Sequence, residues 1–567
     1  MKYFRSLAVV IWIATCLFFF LYRAQVFIES NSATFDEGVH LSAGYSYWSR
    51  GDFRLNHETP PLSKLIASLP LYLFKHLPFQ PTGEQWDRSD MWNIANDFLF
   101  RSALPPQEVL AWGRWSSVPV GLALVVLIGW WSYRLFGLLA GCFCLGLACS
   151  EPNLLAFSCI INSDMCLTLF TFASTYCSWE YFRKPGRFWF ILSGVAIGLS
   201  LASKFSALFF LPGLFVCWII LLYRRKNISP AMTPFTALFR LCLIATLALL
   251  PCYFFFQFPQ FGQGLKQQLV RNNFDPPEFY LMGEISTRGW YHYFLTTFYL
   301  KQTPALQLAT FLIVCSLITA ASVQVLAKVS SMPDWLFLLV PPLLFFGLMS
   351  FLRVDLGIRI ILPVIALHIL VCGVLLCRTV FTRNRRFLSI TCWIGLISLL
   401  LGVDVYFGFR LRGLELAYQL QSSSSDFTKP YGYDFWETLG DSNLDWGQDL
   451  IRLKNWMAAN DQKSIYLAYI GTAPAEAYGI DFIPLPAWGR LAPWPEPQPD
   501  AVKPNYVAIS VSCLQGLHLK DHEMYRWLLE FEPVTRLGLA IWVYDLRDKP
   551  KMRERIERLA EQVAHAK

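Results

Sequence analysis

Eleven apolar runs shape this chain, near 7–28, 114–135, 137–150, 163–181, 187–203, 205–223, 235–256, 304–327, 334–352, 358–378 and 386–408. About 30 Å of hydrocarbon takes roughly 20 apolar residues to cross as a helix, and most of the runs reach that length. The third is short, and the pair flanking Lys204 reads equally well as one broken segment. With 55% hydrophobic and 16% charged residues, the chain carries more apolar surface than a soluble domain holds. The expected fold class is a polytopic α-helical membrane protein of about 11 to 13 transmembrane helices.

Basic residues favour the cytoplasmic side. Starting with Lys2 and Arg5 inside, the inner connections carry Arg134, "RKPGR" (183–187), "RRK" (224–226), Lys328 and "RTVFTRNRR" (378–386). The outside then receives the loop 29–113, the corners at 151–164 and Lys204, the loop 257–303, the corner 353–359 and the tail from 409. The first run lacks a small-residue cleavage site and is expected to stay as an anchor. The net charge of +8 fits this bias and shows no clustered basic face for nucleic acid. All fifteen cysteines except Cys513 lie in or beside apolar runs, in no metal-ligand spacing, and read as small buried hydrophobes.

Two domains are expected: a membrane domain over 1–408, and a soluble α/β domain over 409–567 on the same outer side. In the first external loop, "PPLSKLIASLPLYLFKHLPF" has apolar residues at helical spacing and reads as an amphipathic helix on the membrane surface. In the tail, "SIYLAYIG", "NYVAISVS" and "LAIWVYDL" read as buried strands and "LDWGQDLIRLKNWMA" as a helix. The last twenty residues read as a solvated helix, and "SSSS" at 422–425 as a linker.

Projected onto this topology, the ionisable groups converge on the outer interface: Asp36, Glu37 and His40 after the first span, Asp164 opening the fourth and Lys204 closing the fifth. Glu284, Arg288, His292 and Lys301 lie in the second large loop, and Arg353, Asp355 and Arg359 at the corner before the tenth span. Such groups at a membrane boundary are candidates for function. Each also has a plain reading: Asp36 and Glu37 as solvated interface, Lys204 and Arg359 as side chains reaching headgroups, His57 and His292 as structural. A carboxylate opening an apolar span is costly without a partner, which favours Asp164. Acids beside several cations suit a reaction in which cations hold a departing phosphate and a carboxylate takes a proton from the attacking group. Walker, zincin, G-x-S-x-G and Rossmann signatures are absent from the sequence. A secondary transporter would place paired charges near mid-bilayer; that reading and a non-catalytic membrane scaffold stand as the alternatives.

The acidic pair followed by "GYSYWSRGDFRLNHETPPLSKL" resembles the first external loop of the polyprenyl-phosphate-sugar-dependent glycosyltransferases of the GT-C superfamily, related to protein O-mannosyltransferases and the lipid A aminoarabinose transferase. "EPNLLAFSCIINSDMCLTLF", "GLSLASKFSALFFLP", "GEISTRGWYHYF…LKQTP" and "LGIRIILP" continue the resemblance in order. "SNLDWGQDL" (442–450) is similar to tails of bacterial members. The resemblance implies inverting transfer of a sugar from a polyprenyl-phosphate carrier to a protein, lipid or glycan acceptor, at the extracytoplasmic face of a bacterial inner membrane. It implies Asp36 as general base, Glu37 as the neighbour orienting Asp36 or the acceptor, and Asp164 as the second acid. Lys204 and Arg359 fall at lipid-phosphate positions, with Arg288 and Lys301 as further candidates. Glu58 and Lys64 belong to an E-x-P-P-L-x-K motif that shapes the juxtamembrane helix and binds substrate, with His40 and Glu284 as support. A divalent cation shared by Asp36 and Asp164 is conceivable, yet no tight acidic triplet occurs, so catalysis without a required cofactor is expected.

Overall fold

The computed structural model describes residues 2–224, 233–274, 277–318, 332–383, 387–419, 435–488 and 503–565. Lys328, the basic residues at 225–226 and 384–386, and the serine tract at 422–425 lie outside them. Helix α1 (Lys2–Ser30) leads into an external layer of α2 (Glu37–Arg50), α3 (Leu62–Pro70), α4 (Gly83–Asp87) and α5 (Met91–Phe100). The chain re-enters the bundle as α6 (Pro106–Phe136) and continues through α7 (Leu138–Ser150), α8 (Pro152–Cys159), α9 (Asp164–Arg183), α10 (Arg187–Ser203), α11 (Ala207–Arg224) and α12 (Pro234–Leu249). The second loop holds α13 (Pro259–Phe274), a hairpin of β1 (Phe279–Leu281) and β2 (Glu284–Ser286), and α14 (Tyr293–Lys301). Then come α15 (Pro304–Ile318), α16 (Met332–Leu352), α17 (Leu362–Arg383) and α18 (Phe387–Arg410).

Among the described residues six helices are long and apolar enough to cross a membrane, and the kinked pair α7 and α8 makes a seventh. This is fewer than the eleven expected crossings: α10 has 17 residues, the described part of α15 has 15, and α9 is too polar in composition. Helix α9 carries Thr168, Thr171, Ser174, Thr175 and Ser178, all buried, with Thr168, Thr171 and Thr175 donating to carbonyls one turn back. It packs between α10, α6 and α17, so its polar groups meet protein and not lipid. The expected corner at 151–164 is largely the helix α8. Pro152 starts it and the Glu151 carboxylate accepts from Leu154 N at 2.5 Å, bending the chain by 59° from α7.

The surface helix expected over "PPLSKL…F" forms as α3, followed by a π-type turn at Leu71–Lys75, and Leu73 and Phe74 stay exposed on it.

In the tail, the three expected strands form as β3 (Ile465–Ala468), β5 (Tyr506–Ser510) and β7 (Ile541–Asp545), joined by β4 (Phe482–Pro484) and β6 (Thr535–Leu537). The sheet order is β4-β3-β5-β7-β6, with β3 parallel to β4 and β5 and the other pairs antiparallel. Helix α19 (Leu450–Ala459) is shorter than expected: "LDWGQ" is a loop, because Gly447 stands at φ +87°. A short helix, α20 (Val511–Leu514), follows β5. The terminal helix α21 (Pro550–His565) is not solvated all round. Met552, Ile556, Leu559 and Val563, spaced for one face, are buried against the tail. One apolar cluster runs from Leu41, Tyr45 and Leu99 of the first loop to Leu450, Leu453 and Ile465 of the tail.

Candidate active site

The chain leaves α1 at Ser30, and Asp36 becomes the N-cap of α2. Successive residues at a helix start point about 100° apart, so the two neighbouring acids part company. Glu37 turns inward and is fully buried. Its carboxylate accepts from Arg114 Nε (2.9 Å) and Nη2 (2.7 Å), Ile161 N (3.0 Å), Thr34 N (2.8 Å) and Thr34 Oγ1 (3.1 Å). Arg114, also fully buried, donates further to the carbonyls of Asn31 and Ser32. Glu37 therefore knits the 31–37 turn to α6 and to the corner before α9, leaving no lone pair for an acceptor. Arg114 escaped the sequence reading, although a charge opening an apolar span is the signal that singled out Asp164.

Asp36 turns outward, with about a third of its side chain exposed (32%), and faces Arg359 Nη1 at 3.5 Å. Arg359 sits in a 3₁₀ turn, Ile358–Ile361, at the entry to α17. Asp164, at the start of α9, is buried and binds Lys204 Nζ at 2.5 Å. Lys204 lies in the extended link between α10 and α11, and Asn162 Oδ1 accepts from Asp164 N at 2.8 Å. The charges of both Asp164 and Asp36 act on Arg359, so the two acid–cation pairs form one cluster. Lys204 (18%) and Arg359 (13%) keep some exposure. Asp36, Lys204 and Arg359 can thus meet a substrate from outside, while Asp164 supports Lys204 from behind.

His40 stands one helical turn above Asp36, its amide donating to the Asp36 carbonyl at 3.1 Å. Its imidazole is buried with Nδ1 unbonded. Burial first, then the charges of Lys64, Arg359 and Lys204, push it well below its ordinary pKa, so it is neutral at pH 7.

Lys64 does not face the cluster as a free cation. Fully buried, it donates to Asn56 O, Asn56 Oδ1, Thr59 O and Tyr47 OH at 2.6–3.2 Å, closing the 56–59 turn onto α3. Burial pushes its pKa well down, opposed by the charge of the half-buried Glu58. Lys301, expected at the lipid phosphate, is held elsewhere. It is fully buried and donates to the carbonyls of Leu416 (2.8 Å) and Asn443 (2.9 Å), so it ties α14 to the tail and offers nothing to a phosphate. Burial lowers its pKa to about 7. Glu284 and Arg288 are exposed on and just after the β1–β2 hairpin, which docks on the tail through Met282 N and Thr438 O (3.0 Å). Neither joins an ion pair with the cluster among the described residues.

The sequence reading gave the tail motif no role at the site, yet the motif reaches both halves of it. The Trp446 ring lies 4.5 Å from Arg359 Cζ, and the Trp446 carbonyl accepts from Phe35 N at 3.0 Å, next to Asp36. Asn443 Oδ1 accepts from Ile358 N at 2.9 Å, beside Arg359. Gly357 holds φ +92° there, where a Cβ would stand 2.5 Å from Ser442 Oγ. The clue in the sequence was the dense polar–aromatic string "SNLDWGQDL" itself.

As for a cation, Asp36 and Asp164 each face a basic side chain, and no three His, Cys, Asp or Glu converge among the described residues.

Residues 12–262 match the family model for dolichyl-phosphate-mannose-protein mannosyltransferases. No curated protein matches the chain. Among solved structures, ArnT from Cupriavidus metallidurans in the apo state is similar at 13% identity, over 95% of this chain and 98% of that one, with a TM-score of 0.49. The same protein bound to undecaprenyl phosphate aligns at 14% identity over 94% and 97%, TM-score 0.47. The archaeal oligosaccharyltransferase AglB from Archaeoglobus fulgidus, in complex with an inhibitory peptide and a dolichol-phosphate, aligns at 11% identity over 70% and 56%, TM-score 0.42. The family match spans Asp36, Glu37, Asp164 and Lys204 over less than half of the chain, and together with the apolar helices it indicates an integral membrane glycosyltransferase.

Proposed function

We propose that the chain transfers a sugar from a polyprenyl-phosphate carrier to an acceptor hydroxyl or amine at the extracytoplasmic face of a bacterial inner membrane, with inversion at the anomeric carbon. The observation that carries this reading is the pairing of partly exposed Asp36 with Arg359 beside Asp164 with Lys204, in one cluster at the ends of apolar helices. The donor class rests on the family match, whose name couples a lipid-phosphate sugar to an acceptor.

Arg359 and Lys204 hold the lipid phosphate. Asp36 accepts the proton of the acceptor as its oxygen or nitrogen forms the new bond to the anomeric carbon. The carbon–oxygen bond to the phosphate breaks as that bond forms, and its electron pair stays on the phosphate. The two cations face the charge where it develops, which is where electrostatic stabilisation lowers a barrier most. Asp164 keeps Lys204 aimed, and neutral His40 adds no charge to the site. No step is routed through a divalent cation.

The test is Asp36→Asn in purified protein reconstituted in nanodiscs. Removing a general base costs about 10²- to 10⁴-fold in transfer, while the affinity for undecaprenyl phosphate should stay within about threefold. Unchanged transfer by this variant would overturn the assignment.

A further inference from the structure

We infer that the tail segment 442–449 is a wall of the catalytic centre, with Trp446 as the positioning residue for both Arg359 and Asp36. The inference deepens the reading above, since it takes Arg359 as a phosphate ligand and Asp36 as the base.

Arg359 and Asp36 stand 3.5 Å apart, longer than the 2.7–2.9 Å of a tight charge-assisted hydrogen bond. Asp36 is therefore not the only group that sets Arg359. The guanidinium is also fixed by a hydrogen bond from Nε to the Leu356 carbonyl (3.0 Å) and by the face of Trp446, which is only 5% exposed. Set this way, the guanidinium keeps N–H donors for an anion, which a tight pair with Asp36 would occupy.

The same residue governs the other side of the site. Its carbonyl takes the Phe35 amide, and the next residues extend the pairing. Gln448 O accepts from Ser32 N at 2.9 Å, Gly447 O from Ser32 Oγ at 3.0 Å, and Ser32 Oγ from Leu450 N at 3.1 Å. Residues 32–35 are thus laid along 446–450, which sets the direction in which Asp36 enters α2. Ser442 and Asn443 grip the other half: Ser442 Oγ donates to Leu356 O (2.9 Å), and Asn443 Nδ2 to Tyr293 OH (2.9 Å), which accepts from Gly357 N (3.1 Å).

The loop can act as a template because it is itself anchored. Asp445 accepts from Ser510 Oγ (2.5 Å) and Ser512 N (3.3 Å) at the end of β5, and Gln448 Oε1 accepts from Trp446 N (2.7 Å). A Cβ on Gly447 would stand 2.6 Å from Tyr469 OH. The sheet of the tail thereby reaches the two charged groups through one side chain and one short strand of backbone. Docking of the tail and assembly of the site are one event.

The test uses the full chain in nanodiscs and undecaprenyl phosphate as the probe. Trp446→Leu keeps an apolar side chain without a ring and should weaken lipid-phosphate binding about tenfold, between the exposed and the desolvated values of a cation–π contact. Trp446→Phe keeps a ring face and should restore binding to within about threefold of wild type. In an Arg359→Ala background, adding W446L should weaken binding no further, because the ring acts through the guanidinium. Wild-type binding by W446L, or full multiplication of the two losses in the double variant, would overturn the inference. Should W446L fail to fold, Trp446→Met replaces it under the same criteria. If Arg359→Ala alone binds the lipid phosphate normally, the anion-site reading falls; if it binds weakly and W446L does not, only the present inference falls.

Discussion

Replacing Glu37 by Gln tests most directly how the two neighbouring acids divide their work. Each Glu37 oxygen accepts from two N–H donors: Oε1 from Arg114 Nε and Ile161 N, Oε2 from Arg114 Nη2 and Thr34 N. Whichever way the glutamine amide is turned, its NH₂ confronts two of those donors and the guanidinium loses its counter-charge. Breaking one partner out of a buried ion pair costs about 3–5 kcal/mol. Arg114 keeps the carbonyls of Asn31 (2.7 Å) and Ser32 (2.8 Å), which places the cost at the lower end, about 3 kcal/mol. The assay is thermal melting of the solubilised protein by size-exclusion, with transfer measured on the surviving fraction. Glu37→Gln should melt well below wild type, whereas Asp36→Asn should melt within about 1 kcal/mol of it, since the Arg359 contact is partly exposed. A Glu37→Gln variant that melts like wild type but has lost transfer would refute the division and return Glu37 to the substrate.

Lys301→Met should lower the melting temperature, because the carbonyls of Leu416 and Asn443 lose their shared donor, at about 1–3 kcal/mol. Its lipid-phosphate affinity should stay within about twofold; loss of binding at an unchanged melt would show that Lys301 reaches the phosphate after all. Burial raises the Asp445 pKa to about 6, so the folded state binds more protons than the unfolded chain between about pH 4 and 6. Stability from this group therefore falls as pH rises through that window and stays reduced above it. Asp445→Asn should gain stability relative to wild type as pH rises from about 4 to 6, measured by melting across pH, and a flat difference would contradict the raised pKa.

Much of the cluster was legible because charge at the edge of an apolar run demands a partner. Asp36, Asp164, Lys204 and Arg359 were all singled out on that ground, and the structure pairs them with one another. The same signal overreached at Lys301. A lysine can be satisfied by backbone carbonyls as well as by a phosphate, and spacing does not distinguish the two. The tail helix was read too long because "LDWGQDLIRLKNWMA" has helical periodicity, while the glycine at 447 enforces a conformation that periodicity does not register.

The sequence by itself determined that this chain is a membrane protein with its ionisable groups gathered at helix ends, since transfer of apolar and charged groups between water and lipid is a property of each residue. Tertiary structure decided three further things. It turned Asp36 outward and Glu37 inward, because a helix start separates adjacent side chains by about 100° and Arg114 waits on only one side. It folded polar α9 into the middle of the bundle, where neighbouring helices replace lipid. And it laid the tail loop against residues 32–35 and Arg359, contacts between segments so distant in the chain that no local pattern announces them.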